Sequence, residues 1–268
     1  MGIGDEIIAS GHAKRAFGKT GQLVMICDSR GKQRWSEMWR GLSWVAHPHH
    51  FKMPNLQRIS NGARCRPYID YRKGFTRQTG MNYSGWRVRD NMGFIQLNDE
   101  EMRFAAIKAK ELGRFVVVEP LIEANSNPNK QWGHAKWKAL VSMLEAAGLN
   151  PIHMVPPGTL NYLGLRQVFT PTIRHAAALM KFARRSILPD AGLQHVAGVL
   201  GLPATVIWGG ANDPDILGYP EHDHIYFPAA CRVWLPCAHC RTIWTWLKPE
   251  YVFDRVLHQM RERHGENF

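Results

Sequence analysis

A chain of 268 residues and 30.6 kDa is too large for one small disulfide knot and fits one large α/β domain or two domains of about 110 to 150 residues. With 45% hydrophobic, 21% charged and 10% aromatic residues, it has the balance of a packed globular protein and not of a disordered tail. The net charge of +12 is unevenly placed: residues 1–112 hold 19 Lys and Arg against 10 Asp and Glu, and residues 113–268 hold 15 against 12, so a polyanionic partner is expected at the first half unless that half is simply a solvated basic face.

The N-terminus carries Asp5 and Glu6 and lacks a basic stretch followed by an apolar run, so no signal peptide and a cytoplasmic location are expected. Ile7, Ile8, Ala13 and Phe17 give the segment Glu6 to Phe17 a partial helical face, and Gln22 to Cys27 follows as a strand. A Gly-rich turn, helix and strand read as a βαβ unit whose first strand is missing, and a native reading frame extending upstream by about six to ten apolar residues is expected. From Asp28 to Asn98 the chain is rich in Arg, Trp, Gly and Pro, with short strand candidates only at Gly93 to Leu97 and around Trp44. Glu100 to Leu112 reads as a helix stopped by Gly113, which places a domain boundary between residues 112 and 113.

The second half alternates. Strands are predicted at Phe115–Val118, Pro151–Val155, Ser186–Leu188 and Ala204–Trp208, with helices at His134–Ala147, Pro171–Ala183 and Leu193–Leu200. Such alternation with short connections means a parallel sheet covered by helices, a Rossmann-like domain closed by a terminal helix over Pro249–His264. The longest uncharged apolar stretch, Val196 to Ala211, is broken by Gly198, Gly201 and Pro203 and cannot span a bilayer.

Four constellations offer chemistry. Leu188-Pro189-Asp190-Ala191-Gly192-Leu193-Gln194-His195 sits between a strand end and a helix start, where free N–H groups and a glycine suit a diphosphate. The alternative is that Asp190 merely caps the helix and Gly192 merely turns the chain. Cys231, Cys237, His239 and Cys240 have a ligand inventory suited to structural zinc, but the spacing Cys-x5-Cys-x2-Cys lacks a second paired knuckle and buried free thiols fit as well. Trp35, Trp39, Trp44 and Trp86 interleave with Arg30, Arg34, Arg40, Arg87 and Arg89, which suits stacking and phosphate contacts, or a core with a charged surface. Asp213-Pro214-Asp215 has the form of an Asp-x-Asp metal motif, but its place after a strand favours a loop.

Asn129-Lys130-Gln131-Trp132, Thr170-Pro171-Thr172-Ile173-Arg174, the Asp190 to His195 run, Trp208-Gly209 and Asp213-Pro214 with Gly218, taken in this order, resemble the C-terminal half of glycosyltransferase family 9, the ADP-heptose:lipopolysaccharide heptosyltransferase family. The resemblance covers residues 115–245, and Gly4-Asp5 extends it to the family's Gly-Asp at the start of the first helix. It implies a GT-B-type α/β fold, two Rossmann-like domains facing a cleft, with an acceptor domain at 1–112 and a nucleotide-sugar domain at 113–268. It further implies inverting, metal-independent transfer from a nucleotide sugar such as ADP-heptose to an anionic glycan such as lipopolysaccharide core, without a cofactor. Asp5 is the implied general base, although an Asp at a helix start is also an ordinary N-cap. Lys130, Arg174, Asp190, Ala191, Gly192, Leu193 and His195 are the implied donor-site residues, and Arg64, Arg66, Arg87 and Arg89 the candidates for the acceptor. A nucleic-acid acceptor and a non-catalytic nucleotide-binding module are the rival readings. An enzyme acting on lipopolysaccharide core would touch the inner membrane peripherally.

Overall fold

All three residues of the β-branched run Val116–Val118 are buried, and this short strand lies at the centre of a parallel sheet. The computed structural model describes residues 2–264 apart from 63, 75, 77, 121–125, 160–163 and 228–230. Its strands are β1 (Val24–Cys27), β2 (Gln57–Ser60), β3 (Val116–Val118), β4 (Pro151–Val155), β5 (Arg166–Phe169), β6 (Ser186–Pro189), β7 (Ala204–Ile207) and β8 (Asp223–Ile225). The helices are α1 (Ile3–Thr20), α2 (Asp99–Leu112), α3 (His134–Ala146), α4 (Ile173–Met180), α5 (Gly192–Val199), α6 (Pro214–Leu217), α7 (Ala238–Trp246) and α8 (Pro249–His264).

The six strands of the second half pair in parallel in the order β5-β4-β3-β6-β7-β8, with Val117 level with Ile152 on one side and Ser186 on the other. Counted from β3, this is the order 3-2-1-4-5-6 of dinucleotide-binding sheets, in which the chain switches direction between β3 and β6 and ligands collect beyond the carboxyl ends of the strands. The period-2 alternation of a strand divides the core between the two faces. Val117, Ile152, Leu188 and Val206 share one cluster with α1, α2, α4 and α5, while Val116, Val118, Ile187 and Ile207 share the other with α3 and α8.

The first half is built differently. β1 and β2 form a two-stranded parallel sheet, and α1 and α2 pack on α5 and α4. Between them the chain is held by side chains instead of ladders: Trp39 Nε1 donates to the Glu6 carbonyl at 2.8 Å and Trp44 Nε1 to the Ser10 carbonyl at 3.2 Å. The strand expected at Gly93–Leu97 does not form. That segment runs tightly along α1, where a Cβ on Gly93 would lie 2.1 Å from the Ile7 carbonyl oxygen, and the Phe94 N–H donates to Ser10 Oγ. The strand expected around Trp44 is reduced to a single bridge between Val24 and Val45. Conversely β2, β5, β8, α6 and α7 had no clear periodicity in the sequence. Among the described residues, no helix is long and apolar enough to cross a membrane.

Candidate active site

The N-termini of α1 and α5 meet. A Cβ on Gly4 would lie 2.4 Å from His195 Cδ2, and one on Gly192 would lie 3.0 Å from Ile3 Cβ, so glycine at both positions lets the two helices abut. Neither helix has a side-chain cap: Gly2 and Ala191 occupy the N-cap positions. Asp190 does not cap α5, the alternative raised for it, and turns its carboxylate to Lys130 and Asn212. First-turn N–H groups without side-chain acceptors carry a partial positive charge, and both sets lie at one cavity of about 740 Å³. This size suits a small-molecule site. The cavity opens beyond the carboxyl ends of β3, β4, β5 and β6, where Glu119, Pro156, Thr170 and Asp190 line it.

One wall belongs to α1. The Asp5 carboxylate accepts from Arg66 Nε at 3.2 and 3.1 Å on its two oxygens and from the Tyr68 hydroxyl at 3.1 Å. Burial, reinforced by the Asp5 charge, holds the Tyr68 phenol protonated well above its ordinary range, so it remains a donor. Arg66 also lies over the Trp234 ring, with 5.6 Å from its guanidinium carbon to the ring centroid. Asp5, Arg66, Tyr68 and Trp234 all line the cavity.

The opposite wall belongs to the strand ends of the large sheet. A 3-10 turn over Pro128–Lys130, begun by the Asn127 side chain accepting from the Asn129 N–H, aims Lys130 inward. Lys130 Nζ donates to the Asp190 carbonyl at 2.9 Å and pairs with Asp190 Oδ2 at 3.1 Å, and Asn212 Nδ2 donates to the same Oδ2 at 2.7 Å. The acid thus holds the ammonium beside the α5 N-terminus. A helix end and a lysine at one point are the kind of arrangement that suits an anion.

His195 lines the cavity but is occupied. The Gln194 amide nitrogen donates to the Leu217 carbonyl and so presents N–H to His195 Nε2, which accepts at 3.1 Å; Nδ1 then carries the proton and donates to the Tyr219 hydroxyl at 3.1 Å. Burial, with Lys130 and His222 nearby, lowers its pKa to about 3. His195, one of the implied donor-site residues, thus lines the cavity as a neutral ring whose two nitrogens are taken by Gln194 and Tyr219, and it is the surface on which Gly4 rests. Arg174 is placed elsewhere than the cavity, which corrects its implied donor role. Its side chain is 2% exposed, its guanidinium pairs with Glu101 at 2.6 Å and donates to the Glu37 and Gln96 carbonyls, and it ties α4 to α2 away from the cavity. The Arg-on-helix pattern gave no sign that an acid on α2 would claim it.

Of the remaining expected residues, Asp5, Lys130, Asp190, Ala191, Gly192, Leu193 and Arg66 are brought together in the cavity lining. Arg64, Arg87 and Arg89 are exposed and lie outside it. Tyr68, Asn127, Asn212 and Trp234 escaped sequence reasoning. Tyr68 stands two residues after Arg66, the same spacing at which a strand would present both on one face, but no strand forms there and only tertiary packing brings them to Asp5.

No protein-family model and no curated protein sequence matches the chain. Among solved structures, glycosyltransferase family 9 from Veillonella parvula DSM 2008 is similar over 98% of this chain and 95% of its own, with a TM-score of 0.62 at 11% identity. The fold is that of glycosyltransferase family 9. Two Escherichia coli structures match less of their own length: ADP-heptose lipopolysaccharide heptosyltransferase II, with 16% identity, 64% of this chain, 54% of that one and a TM-score of 0.49, and heptosyltransferase WaaC with ADP-2-deoxy-2-fluoro heptose, with 14%, 60%, 48% and 0.44. The chain thus spans about half the length of those two heptosyltransferases. In this family 9 fold, of GT-B type with parallel sheets, the second half keeps a full six-stranded sheet and the first keeps two strands.

Proposed function

We propose that the protein is an inverting glycosyltransferase that moves a sugar from a nucleoside-diphosphate donor to a hydroxyl of an anionic acceptor. The observation that carries this reading is the pairing across one cavity of an oriented carboxylate, Asp5, with an anion site made of Lys130 and the α5 N-terminus. In the proposed reaction the acceptor oxygen attacks the anomeric carbon while its proton passes to Asp5. The bond from that carbon to the diphosphate breaks, and its electrons leave with the nucleoside diphosphate. Arg66 and Tyr68 fix the carboxylate's orientation, which is the geometric part of general base catalysis. Lys130 and the first-turn N–H groups of α5 meet the charge growing on the departing oxygen, positioned before it appears.

Residues 1–112 are assigned to the acceptor and 113–268 to the donor. The neighbours' printed ligands favour an ADP-sugar such as ADP-heptose, and lipopolysaccharide core, reached from the cytoplasmic face of the inner membrane, is the proposed acceptor. The excess of 19 basic over 10 acidic residues in 1–112, with Arg64, Arg87 and Arg89 exposed, also favours a second reading in which the acceptor is DNA. Incubation with ADP-, GDP- and UDP-sugars tests the first step of either reading. Release of a nucleoside diphosphate by the wild type and its loss in Asp5→Asn are expected. Absence of release from every donor, with and without phosphorylated glycan or DNA, contradicts the proposal. Between the acceptors, DNA binding should fall steeply with salt because each neutralised phosphate releases a counterion.

A further inference from the structure

The cysteine cluster lies outside the proposed chemistry, yet its geometry is that of a ligand set. Cys231 Sγ is 3.3 Å from Cys240 Sγ and 3.5 Å from Cys237 Sγ, and all three thiols are free. Donor atoms of Cys231, His239 and Cys240 lie within 4.8 Å of one another. These atoms converge on one point beside Gly210. A Cβ built there would be 2.9 Å from Cys240 Sγ, 2.9 Å from His239 Nδ1 and 3.0 Å from Cys231 Sγ, so the glycine leaves open the space that the three donors surround. Cys237 opens α7 as its N-cap, which places Cys240 one turn later on the same side.

We propose that Cys231, Cys237, His239 and Cys240 hold one tetrahedral transition-metal ion, and that this ion fastens the 231–240 segment against the donor side of the cavity. Three thiolates and an imidazole form a closed set of the kind that structural zinc takes, and soft sulfur ligands select zinc or iron over magnesium or calcium. No position is left open for substrate, so the role is structural.

The fastening follows from what the segment touches. Arg232 N–H donates to the Gly210 carbonyl at 2.7 Å, and the Arg232 carbonyl accepts from Met81 N–H at 3.2 Å. The Val233 carbonyl accepts from Asn127 Nδ2 at 2.8 Å and Asn129 Nδ2 at 2.9 Å, while the Leu235 carbonyl accepts from Asn129 Nδ2 at 2.7 Å. Trp234, between them, lines the cavity beneath Arg66. The adjacent glycines have separate tasks: Gly209 admits the turn that carries Lys130, since its Cβ would lie 2.0 Å from the Asn129 carbonyl oxygen, and Gly210 faces the ligands.

The test is metal analysis of the purified full chain by mass spectrometry, measuring zinc and iron together. About one ion per chain is expected. Cys231→Ser and His239→Ala should lower occupancy by more than the roughly tenfold that an outer-shell change costs, and Cys65→Ser, outside the cluster, should leave it at the wild-type level. Gly210→Ala should lower occupancy without removing a ligand. If the ligand variants fail to fold, cobalt added to the metal-free wild type replaces them as the readout. Visible bands of tetrahedral cobalt with thiolate charge transfer support the site, and their absence overturns it. Hydrogen exchange then tests the fastening: amides of residues 231–240 should exchange faster after chelation. A metal-free wild type that takes up neither zinc, iron nor cobalt overturns the site, and unchanged exchange overturns the fastening.

Discussion

The two walls of the cavity are made by opposite means. On the α1 wall an acid is held by donors: Asp5 receives Arg66 and Tyr68, so a carboxylate faces the cavity with its orientation fixed. On the α5 wall a base is held by acceptors: Lys130 is pinned by Asp190, so an ammonium stands beside free helix N–H groups. One wall suits taking a proton and the other suits holding a negative charge. The same residue types thus carry different duties according to which partner is turned to the cavity and which partner orients it.

Substitutions on each side put this contrast to the test. The largest effect is expected at the seam where the walls touch. Gly4→Val would drive a Cβ into the His195 ring, whose Cδ2 lies 2.4 Å from that position, and overpacking of this kind costs about 1 to 3 kcal/mol or more; a lower denaturation midpoint together with lost nucleotide binding is expected, and a wild-type melt with intact binding refutes the seam. Next comes the proton acceptor: Asp5→Asn should cut turnover by about a hundredfold or more while nucleoside diphosphate affinity stays near wild type. Steady-state kinetics decide this, and unchanged turnover removes Asp5 from the chemistry.

The seam also predicts a pH dependence. Above the ordinary histidine value, His195 is neutral in both folded and unfolded chains. As pH falls from 6.5 towards its folded value of about 3, only the unfolded chain gains the proton, so stability falls by about 1 kcal/mol per pH unit from this group. Thermal midpoints measured from pH 8 to pH 5 should therefore decline, less steeply in His195→Gln; equal slopes would show that the ring is not held neutral. The smallest effect is expected outside the cavity. Neutralising Arg87 with Arg89 should raise the apparent Michaelis constant for acceptor and leave that for donor nearly alone, and added salt should mimic it. Acceptor kinetics indifferent to both would reduce the basic first half to a solvated surface.

How much of this was legible depended on which physics set each element. β3, β4, β6 and β7 are short, wholly buried runs, and the helices between them end at glycines or open after turn residues, so their order and the helix start at Gly192 could be read from the residues, while Lys130 stood out only through the resemblance to glycosyltransferase family 9. β5 and β8 carry charged or polar residues, Arg166 and Asp223 among them, and exist because a neighbouring strand offers them an edge. Between Asp28 and Asn98, tryptophan side chains and close glycine contacts hold the chain, and such contacts leave no period in a sequence. Hence Asp5 could be singled out only because Gly4-Asp5 matches the resemblance, Tyr68 could not be, and Arg174 was given by the same resemblance a duty at the cavity that Glu101 prevents.

The division of labour between the walls is tested most directly by calorimetric titration of ADP into the wild type, Lys130→Ala and Asp5→Asn. Loss of the lysine should weaken binding by about 1 to 3 kcal/mol, as for a charge-assisted hydrogen bond, while the aspartate variant binds as the wild type does. Wild-type affinity in Lys130→Ala, or weakened binding in Asp5→Asn alone, would contradict the assignment of the anion to the α5 wall.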